Sequence, residues 1–269
     1  MTSLETAAPR TEARIKGATA RRQAMLDYLI QVGSAQVDEL AERFSVSRMT
    51  IHRDLDALSE QGMVNKQHGG VTTRSSSVFE SNFALRSHIA TQEKQALARA
   101  ALEQISPGEA VMLDDSTTAA ELASLLPSRG PVTVITNGLE SADRLKPATD
   151  IKLIILGGDY QPRFNATFGL LCEQTIANLR ANVAVLSASA ILGTTAYVQD
   201  PAVTQIKRAL MAAAERRILL VHSAKFGHSA LHRLADLSEF DLILIDAGLT
   251  PEYRQRLDDA SLRYRLIKR

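Results

Sequence analysis

Between residues 110 and 245 the chain alternates short, nearly continuous apolar runs with stretches of helical periodicity. The apolar runs are residues 110–113, 132–136, 151–156, 183–186, 218–221 and 242–245. The helical stretches lie near residues 118–126, 139–145, 171–179 and 203–214. Strands that are apolar on both faces and separated by helices indicate a mostly parallel sheet with crossover helices. We therefore predict an α/β domain over residues 82–269, which begins with a helix over residues 91–105.

Residues 37–55 predict a different structure, two short amphipathic helices joined by a tight turn. The apolar residues fall on one face of each helix, namely Val37, Leu40, Ala41 and Phe44 in the first and Ile51, Leu55 and Leu58 in the second. Val46 fills the gap between the helices, and Ser47 is a natural N-cap for the second. This pattern is typical of a helix-turn-helix.

The opposite face of the second helix carries side chains that can form hydrogen bonds, close to an open helix N-terminus. A helix that reads the major groove of DNA needs this arrangement. The candidate base-contacting residues are Arg48, Met49, Thr50, His52 and Arg53.

A helix over residues 20–31 precedes this motif, and residues 63–71 predict a small hairpin with a turn at Gly69 and Gly70. Together these elements predict a winged helix-turn-helix domain over residues 20–74. The candidate contacts to backbone phosphates flank the two motif helices and are Arg21, Arg22, Lys66 and His68. Residues 1–19 predict a disordered tail, and the Ser-rich residues 75–81 predict a linker.

Composition restricts the compartment more than it restricts the function. The net charge of +1 does not by itself indicate nucleic acid, although basic residues cluster around the second motif helix. The single cysteine, Cys172, permits no internal disulfide and fits a reducing cytoplasm. Neither a signal peptide nor a run of about 20 apolar residues is found, so we expect a cytoplasmic protein with no membrane contact.

Polar residues follow the predicted strands, at the edge of a parallel sheet where ligands bind. A hydroxyl-rich loop at a helix start can bind a phosphate, although such residues are also ordinary helix caps. Lysines placed nearby would add positive charge. The candidate effector-binding residues are Asp114, Asp115, Ser116, Thr117, Thr118, Thr136, Asn137, Gly157, Gly158, Lys207 and Lys225.

Both domains together resemble the DeoR family of bacterial transcriptional regulators, from about Arg21 onward. The resemblance rests on the segment 47–55, on Leu58, Gly62 and His68-Gly69-Gly70, and on a series of matches in the second domain. Those matches are Asp114, Thr117-Thr118, Thr136-Asn137, Gly157-Gly158, Gly169, Lys207-Arg208 and Lys225-Phe226-Gly227. The resemblance implies an effector domain similar to ribose-5-phosphate isomerase and CoA transferases, which binds a phosphorylated sugar metabolite.

The sequence departs from the family's pattern at four positions. His52 stands where a second Arg is usual, which affects the operator that is read. Ser116 and Ser187 each replace a usual glycine, and His222 replaces the Asp of an Asp-x-x-Lys motif. These three changes bear on the effector, so that a non-phosphorylated polyol is an alternative ligand.

These observations predict a DNA-binding repressor of sugar or polyol metabolism genes, which a phosphorylated sugar or polyol releases from double-stranded operator DNA. One winged helix reads few base pairs, so we expect a homodimer or homotetramer. The enzymatic alternative is a sugar-phosphate isomerase with a fused DNA-binding domain, in which Asp114, Asp115 or Asp246 serves as the base. An architectural DNA-binding protein is the third class, and it leaves the hydroxyl loop and the lysines without a role.

We expect no cofactor, no catalytic residue and no metal ion. His228 and His232 are four residues apart and could share a helix face, but no carboxylate or cysteine is placed to complete a metal site. Cys172 has no neighbouring His or Lys that would favour a reactive thiolate.

Overall fold

The computed structural model of the chain describes residues 17–67, 69–72 and 82–268, and the chain divides into two compact units after Ile89. The predicted linker and most of the predicted N-terminal tail lie outside the described residues. Within the described ranges, no helix is long and apolar enough to cross a membrane.

The described part of the first unit contains four helices and a small three-stranded sheet. The helices are α1 (Ala18–Val32), α2 (Val37–Arg43), α3 (Arg48–Glu60) and α4 (Phe83–His88), and the strands are β1 (Ser34–Gln36), β2 (Asn65–Gln67) and β3 (Gly70–Thr72). Helix α4 follows the predicted linker, yet Leu85 lies in the core of the first unit. The second unit thus begins at Ala90, eight residues after the predicted start of the second domain at residue 82.

The predicted helix-turn-helix is confirmed in its caps and in its buried face. The Ser47 hydroxyl accepts a hydrogen bond from the Thr50 amide at 3.2 Å, which satisfies one of the unpaired amides at the start of α3. The side chains of Ile51, Leu55 and Leu58 are almost fully buried in the first unit's core. Val46 packs against the same core from the turn.

The wing is a sheet of order β1-β3-β2 rather than a simple hairpin. Strand β1 is only three residues long, too short for its sequence pattern to predict it, and Ala35 on it pairs with Val71. Gly70 belongs to β3 and not to the turn. A Cβ on Gly70 would lie 2.9 Å from the Ala35 carbonyl oxygen, so the close pairing of β1 and β3 requires glycine there.

The second unit is a parallel sheet with helices on both faces, as predicted. Its helices are α5 (Thr91–Leu102), α6 (Thr117–Ala123), α7 (Leu139–Leu145), α8 (Leu170–Ala177), α9 (Pro201–Ala213) and α10 (Pro251–Asp259). The sheet strands are β4 (Ala110–Leu113), β5 (Val132–Thr136), β6 (Ile151–Ile155), β9 (Ala181–Leu186), β12 (Ala214–Val221), β14 (Leu242–Asp246) and β15 (Tyr264–Ile267).

These seven strands are all parallel, in the order β15-β14-β12-β9-β4-β5-β6. Because side chains alternate along a strand, β4 contributes to two cores. Val111 and Leu113 pack with α5, α6 and α7 on one face. Met112 packs on the other face with residues of α8, α9 and α10. The sheet is thus covered by helices on both faces, which gives three layers.

Five short antiparallel strands of the second unit are not predicted by the sequence. Strands β7 (Asp159–Gln161) and β8 (Ala166–Phe168) pair with each other. Strands β10 (Ala190–Leu192), β11 (Thr195–Val198) and β13 (His232–Asp236) form a second small sheet. The pair of His228 and His232 therefore does not share a helix face, because His232 begins a strand.

Candidate functional sites

The exposed face of α3 carries the predicted base-contacting residues. Arg48, Met49, His52 and Arg53 are exposed, and Met49 retains 66% of its accessible surface. Thr50 is half-buried, and its hydroxyl lies 3.0 Å from the Ser47 hydroxyl, so it serves the helix cap. An exposed methionine beside basic side chains on one helix face is suited to apolar and polar contacts with base edges.

Two of the predicted DNA-contacting cations form ion pairs within the first unit. Arg48 pairs with Asp38 on α2, and Lys66 on β2 pairs with Asp56 on α3. All four side chains are largely exposed, and exposed pairs of this kind contribute little to stability. Phosphate or base groups can therefore replace these carboxylates at small cost. Within the described residues, Arg53 forms no ion pair.

Arg21 and Arg22 are held by an acidic residue that sequence reasoning missed. Arg21 donates from Nε to Asp54 at 2.6 Å, and Arg22 Nε lies 3.8 Å from the other oxygen of the same carboxylate. Asp54 is only 4% exposed, on the buried side of α3. The sequence contained an indication of this burial, because Asp54 stands directly before Leu55, which belongs to the apolar face of α3. Arg21 thus links α1 to α3, and its predicted phosphate contact competes with this role.

The second candidate site lies at the carboxyl edge of the seven-stranded sheet. After β4 the chain continues to β5 and β6 on one side, and the later strands β9, β12 and β14 add on the other side. The reversal of direction falls between β4 and β9, and ligands of open α/β sheets bind at such a point. Asp114 follows β4 and Ser187 follows β9, and the Ser187 amide donates to the Asp114 carboxylate at 2.8 Å.

Asp114 is fully buried and ion-paired with Lys207, which is itself 3% exposed in the middle of α9. The Lys207 ammonium also lies 3.3 Å from Asp115. Burial opposes ionisation of Asp114, but the Lys207 charge and hydrogen bonds from Lys207, Ser116 and Ser187 outweigh it and lower the pKa of this carboxyl. Lys207 therefore contacts two carboxylates, and its predicted contact with an anionic effector stays a prediction.

The hydroxyl-rich residues between β4 and the first turn of α6 include a helix cap and two buried threonines. Ser116 caps α6, since its hydroxyl accepts from the Ala119 amide at 3.0 Å, which is the ordinary structural role of such a residue. Thr117 and Thr118 are also buried, at 6% and 2% exposure, beside the ion-paired Asp114 and Asp115. The loop thus brings two threonine hydroxyls to the sheet edge.

Thr136 and Asn137 follow β5, next to this loop. The Thr136 hydroxyl accepts from the Gly138 amide at 3.0 Å. Asn137 is fully buried and donates from Nδ2 to the Thr167 carbonyl on β8 at 2.9 Å, while its Oδ1 has no hydrogen-bond partner among the described residues. Asn137 therefore presents an unsatisfied acceptor at the edge of the sheet.

Gly157 and Gly158 were predicted as effector contacts, and Gly158 has a structural reason to be glycine. Its φ is +139°, and a Cβ there would lie 2.2 Å from the Phe168 carbonyl oxygen. Gly158 thus lets the chain turn into the β7–β8 hairpin. Gly157 is exposed, and a Cβ at this position would meet no atom within 4 Å.

Lys225 lies beyond β12 and joins the site through Ser187. Its ammonium donates to the Ser187 hydroxyl at 3.1 Å and to the Ala188 carbonyl. His222 directly follows β12 and is 7% exposed, with Nδ1 unpaired in the described structure. Burial, followed by the charges of Lys225 and Lys94, holds the pKa of this imidazole well below its usual value.

Three features considered from the sequence have structural surroundings that the structure defines. Asp246 accepts hydrogen bonds from the Ser223 amide and hydroxyl and from the Gly248 amide, which leaves it poorly placed as a base. Burial raises the pKa of the Cys172 thiol to about 11, which disfavours the nucleophilic thiolate form. Across residues 17–67, 69–72 and 82–268, no cluster of three His, Cys, Asp or Glu could hold a metal ion.

Comparison with known protein families gives two matches. A family model described as a DeoR-like helix-turn-helix domain matches residues 21–77. A model described as the DeoR C terminal sensor domain matches residues 89–247.

Three similar curated proteins span nearly the same length. The chain is 31% identical to a putative aga operon transcriptional repressor of Escherichia coli O157:H7, over 95% of this chain and 96% of that protein. It is 34% identical to the L-fucose operon activator of Haemophilus influenzae, over 85% of this chain and 92% of that activator. It is 30% identical to the glycerol-3-phosphate regulon repressor of Escherichia coli K12, over 92% of this chain and 98% of that repressor.

Among solved structures, ribose 5-phosphate isomerase A from Methanocaldococcus jannaschii is similar with a TM-score of 0.38 and 18% identity. The similarity covers 51% of this chain and 54% of the isomerase.

Proposed function

The chain belongs to the DeoR family and is a DNA-binding transcriptional regulator, and we propose that a phosphorylated sugar or polyol controls its release from DNA. In this proposal it acts in the cytoplasm as a repressor of sugar or polyol metabolism genes. The observation that carries the proposal is that buried hydroxyls, an unsatisfied amide oxygen and Lys225 all follow strands at the carboxyl edge of the sensor sheet, on both sides of its switch point.

We propose that α3 enters the major groove and that Arg48, Met49, His52 and Arg53 contact base edges. The support is their shared exposed face at the start of a capped helix. Thr50 and Arg22 remain candidate contacts to the phosphate backbone, and Lys66 is placed to reach a phosphate from the wing. His68 belongs to the same proposed contact set and lies outside the described residues.

The Lys66 contact is tested by the salt dependence of DNA binding. Replacing Lys66 by Ala should weaken binding to all sequences alike and reduce the slope of log K against log salt by about one. Asp56→Asn, which removes the competing carboxylate, should strengthen binding. The control is Lys152→Ala, an exposed lysine of the second unit. A slope that is unchanged in Lys66→Ala would remove the wing from the interface.

The proposed effector site combines groups for two chemical features of a ligand. Lys225 and the hydroxyls of Thr117 and Thr118 suit an anionic group, whereas Asn137 Oδ1 can only accept and therefore suits a ligand hydroxyl. Asp115, at 4% exposure, adds further acceptor oxygens beside them. The names of similar proteins support this ligand class, since one refers to glycerol-3-phosphate and another to L-fucose.

Calorimetry on the full chain tests this assignment with matched ligands: glycerol 3-phosphate against glycerol, and ribitol 5-phosphate against ribitol. We expect the phosphorylated member of a pair to bind at least about tenfold more tightly, a difference of about 1.4 kcal/mol. Thr117→Val should weaken that binding and leave DNA binding unchanged. Thr149→Val is the control, because this exposed threonine precedes β6 at the other edge of the sheet.

Equal affinity for the free and the phosphorylated members would contradict the phosphate-binding role.

We also propose that the protein is at least a homodimer, with recognition helices spaced by multiples of about 34 Å, one turn of duplex. Effector binding would then favour a spacing that does not match the operator. By reciprocity, DNA would weaken effector binding by the same factor.

A further inference from the structure

His222 differs from the other polar residues at the carboxyl edge of the sensor sheet. Its side chain is buried at 7% exposure, and Nδ1 has no hydrogen-bond partner among the described residues. An unsatisfied buried polar group costs about 1–3 kcal/mol. Native proteins retain few such groups, and those that persist call for an explanation such as binding or catalysis.

The position of His222 connects it to the proposed effector site. It directly follows β12, which pairs with β9, and Ser187 lies just beyond the end of β9. Lys225, three residues after His222, donates to Ser187, and Ser187 in turn donates to Asp114. His222 therefore lies one strand away from the switch point, at the same edge of the sheet.

The chemistry of the imidazole limits what it can bind. The charged groups that act on it are Lys225, from the loop after β12, and Lys94, from α5 across the sheet edge. With burial they keep the ring neutral at physiological pH, so Nδ1 is a donor in one tautomer and an acceptor in the other. A hydroxyl group satisfies either tautomer, because it both donates and accepts. A phosphate or carboxylate can pair only with the tautomer that carries a proton on Nδ1.

We propose that Nδ1 of His222 hydrogen-bonds a hydroxyl group of the effector and thereby contributes to the recognition of a polyhydroxy ligand. The inference rests on the proposed effector site. Asn137 gives it independent support, since its buried Oδ1 also lacks a partner and can be satisfied only by a donor such as a hydroxyl. Strands β5 and β12 are three positions apart in the sheet, about 14 Å at the usual spacing, so the two residues contact different parts of the ligand.

The first test needs no ligand and uses thermal unfolding of the full chain. His222→Leu replaces the imidazole by an apolar side chain of similar volume. If Nδ1 is unsatisfied in the free protein, this change should raise the Tm by a few degrees, because an unpaired polar group is removed. The control is His228→Leu, since His228 is exposed and should leave the Tm unchanged. A lower Tm for His222→Leu would show that the imidazole is structural and would overturn the inference.

The second test compares three probes by calorimetry: ribitol 5-phosphate, pentyl phosphate and inorganic phosphate. Pentyl phosphate has the same carbon chain as ribitol 5-phosphate and lacks its hydroxyl groups. The wild-type chain should prefer ribitol 5-phosphate over pentyl phosphate, and His222→Leu should reduce that preference about tenfold with no change for inorganic phosphate. His222→Asn, which keeps a neutral polar atom near the Nδ1 position, should retain part of it.

The two proposals fail in different ways. An unchanged preference in His222→Leu would overturn the role of His222 while leaving the phosphorylated effector intact. A wild-type chain that binds pentyl phosphate and inorganic phosphate no better than it binds ribitol would contradict the phosphate site itself. In that case the unfolding comparison still decides whether His222 carries an unsatisfied group.

Discussion

Replacing Lys207 by Met is expected to destabilise the sensor unit by about 3–5 kcal/mol, because it leaves the carboxylate of Asp114 buried without its cation. Both partners are almost inaccessible to solvent, at 3% and 0% exposure. For a unit of this size the loss corresponds to a decrease in Tm of roughly 10 °C. Thermal unfolding of the full chain, followed by circular dichroism, measures it.

The matched control is Lys146→Met, which breaks an ion pair with Asp143 in which both side chains are about 60% exposed. That change should alter stability by less than about 0.5 kcal/mol. Similar losses in the two variants would show that burial does not determine the contribution of the Lys207 pair.

The difference between wild type and Lys207→Met should also depend on pH. Because the folded protein lowers the pKa of Asp114, its ionised form stabilises the wild type above the unfolded pKa of about 3.9, and this contribution is lost as pH falls through the lower folded value. In Lys207→Met, protonation of Asp114 at low pH removes the unpaired negative charge and with it the cause of the destabilisation. The difference in stability between the two proteins should therefore shrink as the pH falls, and it should be smallest below the lowered folded pKa of Asp114.

Replacing Arg53 by Ala is expected to remove most of the preference for operator over random DNA. Arg53 is exposed in the second turn of α3 and forms no ion pair within the described residues, so its guanidinium is available for a bidentate contact to a base edge. One such contact contributes about 1–3 kcal/mol of discrimination, or roughly 5- to 150-fold in the affinity ratio. Fluorescence anisotropy with an operator selected from random duplexes, at fixed salt, measures this ratio.

Arg180→Ala is the control for the loss of one positive charge, because Arg180 is exposed on the sensor unit. It should leave the ratio of operator to random affinity unchanged. If Arg53→Ala weakens both DNA molecules equally, then Arg53 contacts only phosphate and the specificity lies in the other residues of the α3 face.

The sequence alone determined the elements whose signals are local. Helix α3 was predictable because Ile51, Leu55 and Leu58 recur at helical spacing, and because Ser47 can cap only a helix that starts directly after it. Six of the seven strands of the parallel sheet were predictable because each contains a nearly continuous apolar run, although β6, at the sheet edge, is only partly buried. Strand β15 was missed because Tyr264 and its neighbours at the sheet edge alternate with charged residues.

The tertiary structure alone decided which distant polar residues meet. Nothing local to Asp114 indicates that Lys207, 93 residues later, will contact it, and nothing local to Arg21 indicates its pairing with Asp54. The order of the strands favours the first of these contacts, because it places β4 beside β9, and α9 packs against β9. The spacing of apolar residues predicts the helix or strand that each segment forms. Whether a buried charged group is stabilised depends on the partners that surround it in space, and only the folded chain brings those partners together.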